Sequence, residues 1–153
     1  MNFLNNPNKI AEKYGLIIAG GLIVYFLLMK IVGLSNHVEL RFTNLIILVA
    51  GVYYALKAFK RTHEGHLNYF RGLILGVATS GIGSLVFSIF LFAYMQMDGE
   101  LMLSIQENEP MGRYLNAYIA SFIVLLEGFF SGFLVTFVLL NWITTDEVNV
   151  SQG

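Results

Sequence analysis

Apolar residues in this chain run on in four long stretches, residues 15–34, 42–59, 72–97 and 117–143, separated by short polar stretches. A membrane-crossing α-helix needs roughly 20 predominantly apolar residues. The third and fourth stretches exceed that length and can cross with tilt. The first is broken only by Lys30 near its far end. The second has an uninterrupted part that ends at Leu56, and Lys57 extends it by laying its aliphatic stem along the helix and lifting its ammonium to the headgroups. Aromatic residues with a polar edge, Tyr14, Tyr69, Tyr94, Tyr114, Tyr118 and Trp142, fall near the ends of the stretches, where such rings sit half in water. The pattern predicts an all-α membrane protein of four transmembrane helices, with residues 1–153 as a single membrane domain.

The connection over residues 98–116 is too long for a tight helical hairpin. Asp98 can cap a short helix there, with Met97, Leu101, Met102 and Ile105 on one face and Pro110 beyond its end, lying on the membrane surface. An irregular loop accounts for the same residues about equally well. The first and third stretches open alike, Gly15-Leu16-Ile17-Ile18-Ala19 against Gly72-Leu73-Ile74-Leu75-Gly76, each closely preceded by a base. A parallel internal repeat is one reading. Chance is slightly the better one, because Gly, Leu and Ile abound in any span and the second and fourth stretches do not match.

Composition agrees with a bilayer location. Of 153 residues 56% are hydrophobic and 12% charged, about half the charge of an ordinary globular domain, and the mean hydropathy is +0.67. The chain has no cysteine, which excludes disulfides, thiolate catalysis, iron–sulfur clusters and cysteine zinc sites. No small-residue cleavage site follows the first stretch, so it is expected to remain as an uncleaved span. The net charge of −1 hides a polarised arrangement. Lys9, Lys13, Lys57, Lys60, Arg61 and Arg71 fall on one side, and Lys30, Arg41 and Arg113 on the other. Six basic residues against three place the N-terminus in the cytoplasm, and four spans return the C-terminus to the same side.

The third stretch carries a small residue at every fourth position, Gly72, Gly76, Ser80, Ser84 and Ser88, and the fourth carries Gly128 and Gly132. In lipid such ridges mark helix–helix packing, with a substrate path along the serines as the less favoured reading. Glu127 is less easily absorbed. Ten residues into the fourth stretch, it is about 15 Å deep, near the middle of the hydrocarbon. An ionised side chain there costs about 2.5–3.5 kcal/mol. A carboxyl avoids that cost by keeping its proton or by facing a partner inside the bundle, and Ser84, Ser88 and the longer-reaching Lys30 are the candidate partners. Together these four residues form a candidate intramembrane proton or polar site. His63-Glu64-Gly65-His66 lacks the spacing of a zinc-protease helix and reads as a solvated loop. No nucleophile, phosphate-binding loop or dinucleotide fingerprint occurs, so neither a catalytic residue nor a cofactor is expected. The basic cluster over residues 57–71 is explained by topology and anionic headgroups, without a nucleic acid.

The segments Lys13-Tyr14-Gly15-Leu16-Ile17, Gly51-Val52-Tyr53-Tyr54-Ala55-Leu56-Lys57 and Arg71-Gly72-Leu73-Ile74-Leu75-Gly76, in this order on four spans, resemble the bacterial family known as domain of unknown function forty-one ninety-nine. The resemblance implies a small multi-pass protein of the bacterial inner membrane and carries over no activity, catalytic residue or cofactor. Three functions compete. The first is a non-catalytic accessory or scaffold subunit with another membrane protein as its stoichiometric partner. The second is a small proton- or ion-coupled transporter that uses Glu127 and self-associates as a homo-oligomer to enclose a path. The third, supported only by the interfacial segment, is a lipid-modifying enzyme.

Overall fold

In hydrocarbon every backbone N–H and C=O must be satisfied within the protein, and a lone apolar stretch achieves this only as a helix. The computed structural model describes residues 7–33, 41–62 and 68–151. Along these run α1 (Pro7–Val32), α2 (Arg41–Thr62), α3 (Tyr69–Met97), α4 (Gly99–Asn108), a 3-10 turn (Gly112–Tyr114) and α5 (Ala117–Ser151). Four of the helices are long and apolar enough to cross a membrane, over Lys9–Val32, Phe42–Thr62, Tyr69–Met97 and Ala117–Ile143. The chain is therefore an all-α, multi-pass membrane protein.

The helices outrun the apolar stretches. α1 begins at Pro7 rather than at residue 15, and α5 continues to Ser151 rather than stopping at residue 143. Once nucleated, a helix propagates readily into the headgroup zone, so apolar boundaries understate its length. α1 stops where Gly33 takes a positive φ of 76° and its N–H bonds to the Lys30 carbonyl at 3.1 Å, a left-handed end that suits glycine. Leu34, the end of the first apolar stretch, and the His63 to His66 segment lie outside the described residues.

Asp98 makes the joint between α3 and α4. Its N–H bonds to the Tyr94 carbonyl at 2.9 Å, closing α3, and its carboxylate accepts from Leu101 N at 3.3 Å, opening α4. α4 buries Leu101 and packs Met102 and Ile105 against the core. Met97, expected on that face, is instead 88% exposed, because it belongs to the last turn of α3 and the chain bends at Asp98. The Gln106 side chain then donates to the Leu115 carbonyl at 2.9 Å. Asn116 starts α5 by accepting from Ile119 N at 2.9 Å.

α3 lies between α1 and α5, and α2 packs on all three. Between α3 and α5 small residues interlock: Ser84 lies against Gly128, Ser80 against Gly132, and Thr136 against Gly76. Each step of four along α3 is answered by a step of four back along α5, so the two run antiparallel in one register. On the other side of α3, Ile18 of α1 is the wedge. It is 1% exposed and fills the space left by Gly83 of α3 and Gly51 of α2. Further along α1, Phe26 takes over from the glycines, meeting Tyr94 edge-on at 5.3 Å between ring centroids, with Phe87 and Phe90 also in contact.

A side chain at these glycines has nowhere to go. A Cβ on Gly51 would enter Ile18, one on Gly76 would enter Thr136, and one on Gly132 would enter Ser80, whereas Gly20 faces open space. We therefore expect Gly51→Ala, Gly76→Ala and Gly132→Ala each to destabilise by about 1–3 kcal/mol through overpacking. Gly20→Ala should be neutral or stabilising by up to about 1 kcal/mol, since it only removes backbone freedom. Thermal melts of the four variants in one detergent check this, and a uniform response would show that the interlock does not hold the bundle.

Candidate functional site: Glu127 and the Lys30–Asp98 ion pair

The geometry of α5 decides where Glu127 points. Gly128 must face Ser84 for the helices to approach, and successive residues of an α-helix are turned by about 100°. Glu127 is thereby carried out of the α3 contact. It is exposed on the outside of the bundle and forms no hydrogen bond or ion pair with any described residue. The expected contact with Ser84 or Ser88 is absent. Ser84 packs on Gly128, and Ser88 donates instead to the Ser121 carbonyl at 2.7 Å, a hydrogen bond that ties α3 to α5. The other buried hydroxyls are engaged within their own helices. Thr79 donates to the Leu75 carbonyl at 2.8 Å, Ser80 to Val77 at 3.0 Å, Ser121 to Ala117 at 2.7 Å and Thr136 to Gly132 at 2.6 Å. This is packing chemistry: Ser80 and Thr136 stand against the facing glycines and satisfy their hydroxyls within their own helices. Gly72, at the start of the ridge, is buried as well.

Lys30 does not approach Glu127 either. At the end of the bundle opposite the termini it forms an ion pair with Asp98, and its ammonium stands 5.2 Å from the centre of the Tyr94 ring. Both members are about a quarter exposed. The hydrogen bond from Lys30, assisted by the one from Leu101 N, holds the Asp98 carboxyl below its ordinary value of 3.8. One charge contact thus joins the end of α1 to the turn between α3 and α4. The candidate site is in this way divided: Glu127 stands outside the bundle, midway along the span Ala117–Ile143, with no partner among the described residues, the serines pack, and Lys30 secures one end.

Two features escape the spacing argument. Ser121, one turn into α5, supplies the carbonyl that Ser88 needs, and no motif distinguishes it from other serines. Asn44 of α2 has a buried Oδ1 with no hydrogen-bond partner among the described residues. The signal for Asn44 was present in the sequence, as a lone amide within an apolar stretch.

A family model described as protein of unknown function (DUF4199) matches residues 13–139. The chain belongs to this family. The matched region of this DUF4199 chain takes in the α3–α5 interlock, Glu127 and the Lys30–Asp98 pair. No curated protein and no solved structure matches the chain.

Because the folded-state value of Asp98 is lowered, the stabilisation it confers is complete above the ordinary carboxylate value and is lost as pH falls through the lower folded value. Asp98→Asn keeps a cap for Leu101 but loses the charge. We expect it to melt below the wild-type chain at neutral pH, with the two melting temperatures converging as the pH is taken below about 3.8. A gap that persists unchanged into strong acid would show that the ion pair is not its source.

Proposed function

We propose that this chain is a non-catalytic accessory or scaffold subunit of the bacterial inner membrane, with both termini in the cytoplasm. The observation that carries this reading is the closure of the α3–α5 seam by direct contact of Gly76, Gly132 and Gly128 with Thr136, Ser80 and Ser84, of which Thr136 and Ser80 turn their hydroxyls to backbone carbonyls of their own helices. A path for a polar solute needs converging unsatisfied groups, and the α3–α5 and α1–α3 seams are built from the opposite arrangement. The cytoplasmic orientation is supported by Lys9, Lys13, Lys57, Arg61 and Arg71, all exposed at the end that holds the start of α1. Lys13 and Lys57 lie beside the rings of Tyr14 and Tyr53, at 5.9 and 5.7 Å from the ring centres, the posture of bases reaching for headgroups.

The mid-depth position of Glu127 favours a second reading, a proton- or ion-coupled carrier. Because the acid is on the outside, its path would run between copies of the chain and not through one of them. Under that reading Glu127→Gln folds normally and abolishes uptake in reconstituted vesicles.

Purification of the full chain in a mild detergent, followed by mass spectrometry, should recover a second membrane protein in fixed ratio. A protein that remains alone and monodisperse in several detergents would overturn the accessory role. For orientation, single cysteines introduced at His63 and Glu107 label without background, since the chain has no cysteine of its own. An impermeant thiol reagent applied to intact cells should reach position 107 and not 63, and the reverse pattern would invert the topology.

A further inference from the structure

On the outer flank of α5, Ile123, Glu127, Phe130, Leu134, Phe137 and Asn141 follow one another at alternating steps of four and three residues, and all six are exposed. This is the spacing of a helix–helix seam with a 3.5-residue period, the geometry of left-handed pairs in membranes. At 1.5 Å per residue the seam is about 27 Å long, nearly the thickness of the hydrocarbon. It belongs to neither of the contacts that α5 makes through Gly128 and Gly132.

The geometry points to a symmetric dimer in which two copies pack α5 against α5 along this seam, bringing Glu127 of each copy onto the same residue of the other. The occupant follows from hydrogen-bonding chemistry. Two copies inserted with the same orientation are related by a twofold axis along the membrane normal, so their α5 helices run parallel and like meets like. A carboxyl carrying its proton donates and accepts at once, and two of them satisfy each other across such an axis without importing a charge. No other exposed face of the chain serves as well. At this depth α1 offers Ile17, Gly20 and Val24, α2 offers Ile46 and Ala50, and α3 offers Leu85 and Ile89, none of which can answer a carboxyl. Lys30 is engaged by Asp98 near one end. A second copy on the α5 seam therefore supplies the partner that hydrocarbon withholds. The inference rests on the placement of α5 across the bilayer and is separate from whether another protein is recruited.

The test uses the full chain in lipid vesicles with a membrane-permeant oxidant. Ile123→Cys and Leu134→Cys, each with Glu127 intact, should form disulfide-linked dimers, while Phe129→Cys, on the opposite flank of α5, should not. Dimerisation measured by energy transfer between labelled copies on lipid dilution should weaken about tenfold in Glu127→Ala. Glu127→Gln, whose amide also donates and accepts, should stay within about threefold of wild type. Absence of cross-links at positions 123 and 134, or cross-linking of equal yield at 129, overturns the seam. Loss of dimer in Glu127→Gln equal to that in Glu127→Ala overturns the carboxyl pairing. A dimer without any co-purifying protein leaves this inference standing and removes the accessory role, so the two failures are distinguishable.

Discussion

Close approach between α3 and α5 is the contact on which the rest of the structure depends. Lipid tails are as apolar as leucine, so helices in a bilayer gain little by burying aliphatic side chains against one another. What remains is van der Waals contact at short range together with hydrogen bonds that cross the interface. The interlock of Ser84, Ser80 and Thr136 with Gly128, Gly132 and Gly76 supplies the first, and the bond from Ser88 to the Ser121 carbonyl supplies the second. Because both helices repeat their small residues at every fourth position, the register is set at several levels at once.

The position of the remaining helices follows from that pair. With one side of α3 occupied by α5, Gly83 on its other side receives Ile18 of α1, and the same isoleucine occupies the hollow at Gly51 of α2. One side chain thereby holds three helices. Nearer the far end, Phe26, Phe87, Phe90 and Tyr94 replace glycine contacts with edge-on ring contacts, and the Lys30–Asp98 pair closes the end where α3 turns into α4. The charge pair is placed where water can share its solvation, at the end of the spans and not within them.

Packing of this kind has a consequence for polarity. In the α3–α5 seam Ser80 and Thr136 turn their hydroxyls to backbone carbonyls of the preceding turn, and the glycines opposite leave no room for a longer side chain. Glu127 is the residue that this arrangement displaces. Its neighbour Gly128 takes the interior position, and the carboxyl is turned to the outside of the bundle midway along the span Ala117–Ile143. No described residue inside the bundle answers it, so the meaning of Glu127 belongs to what lies against α5.

The sequence by itself determined the existence and order of the membrane-crossing helices, because uninterrupted apolar length is a local property that no tertiary contact can reverse in a bilayer. It also determined the Asp98 cap, a local interaction within one turn, and the small-residue ridge of α3, visible as a period of four from Gly72 to Ser88. Helix ends were legible only to within a turn or two, since apolar composition marks the hydrocarbon and the helices extend past it, as α1 does at Pro7. Partners were not legible at all. That Ser84 meets Gly128, that Ile18 meets both Gly51 and Gly83, and that Lys30 finds Asp98 sixty-eight residues away depend on which faces meet, and a period of four names a face without naming its neighbour. Glu127 shows the difference most directly. Its depth could be counted along the chain, but its direction depended on the residue beside it having to be the contact, and only the packed structure decides which of two adjacent residues occupies the interior.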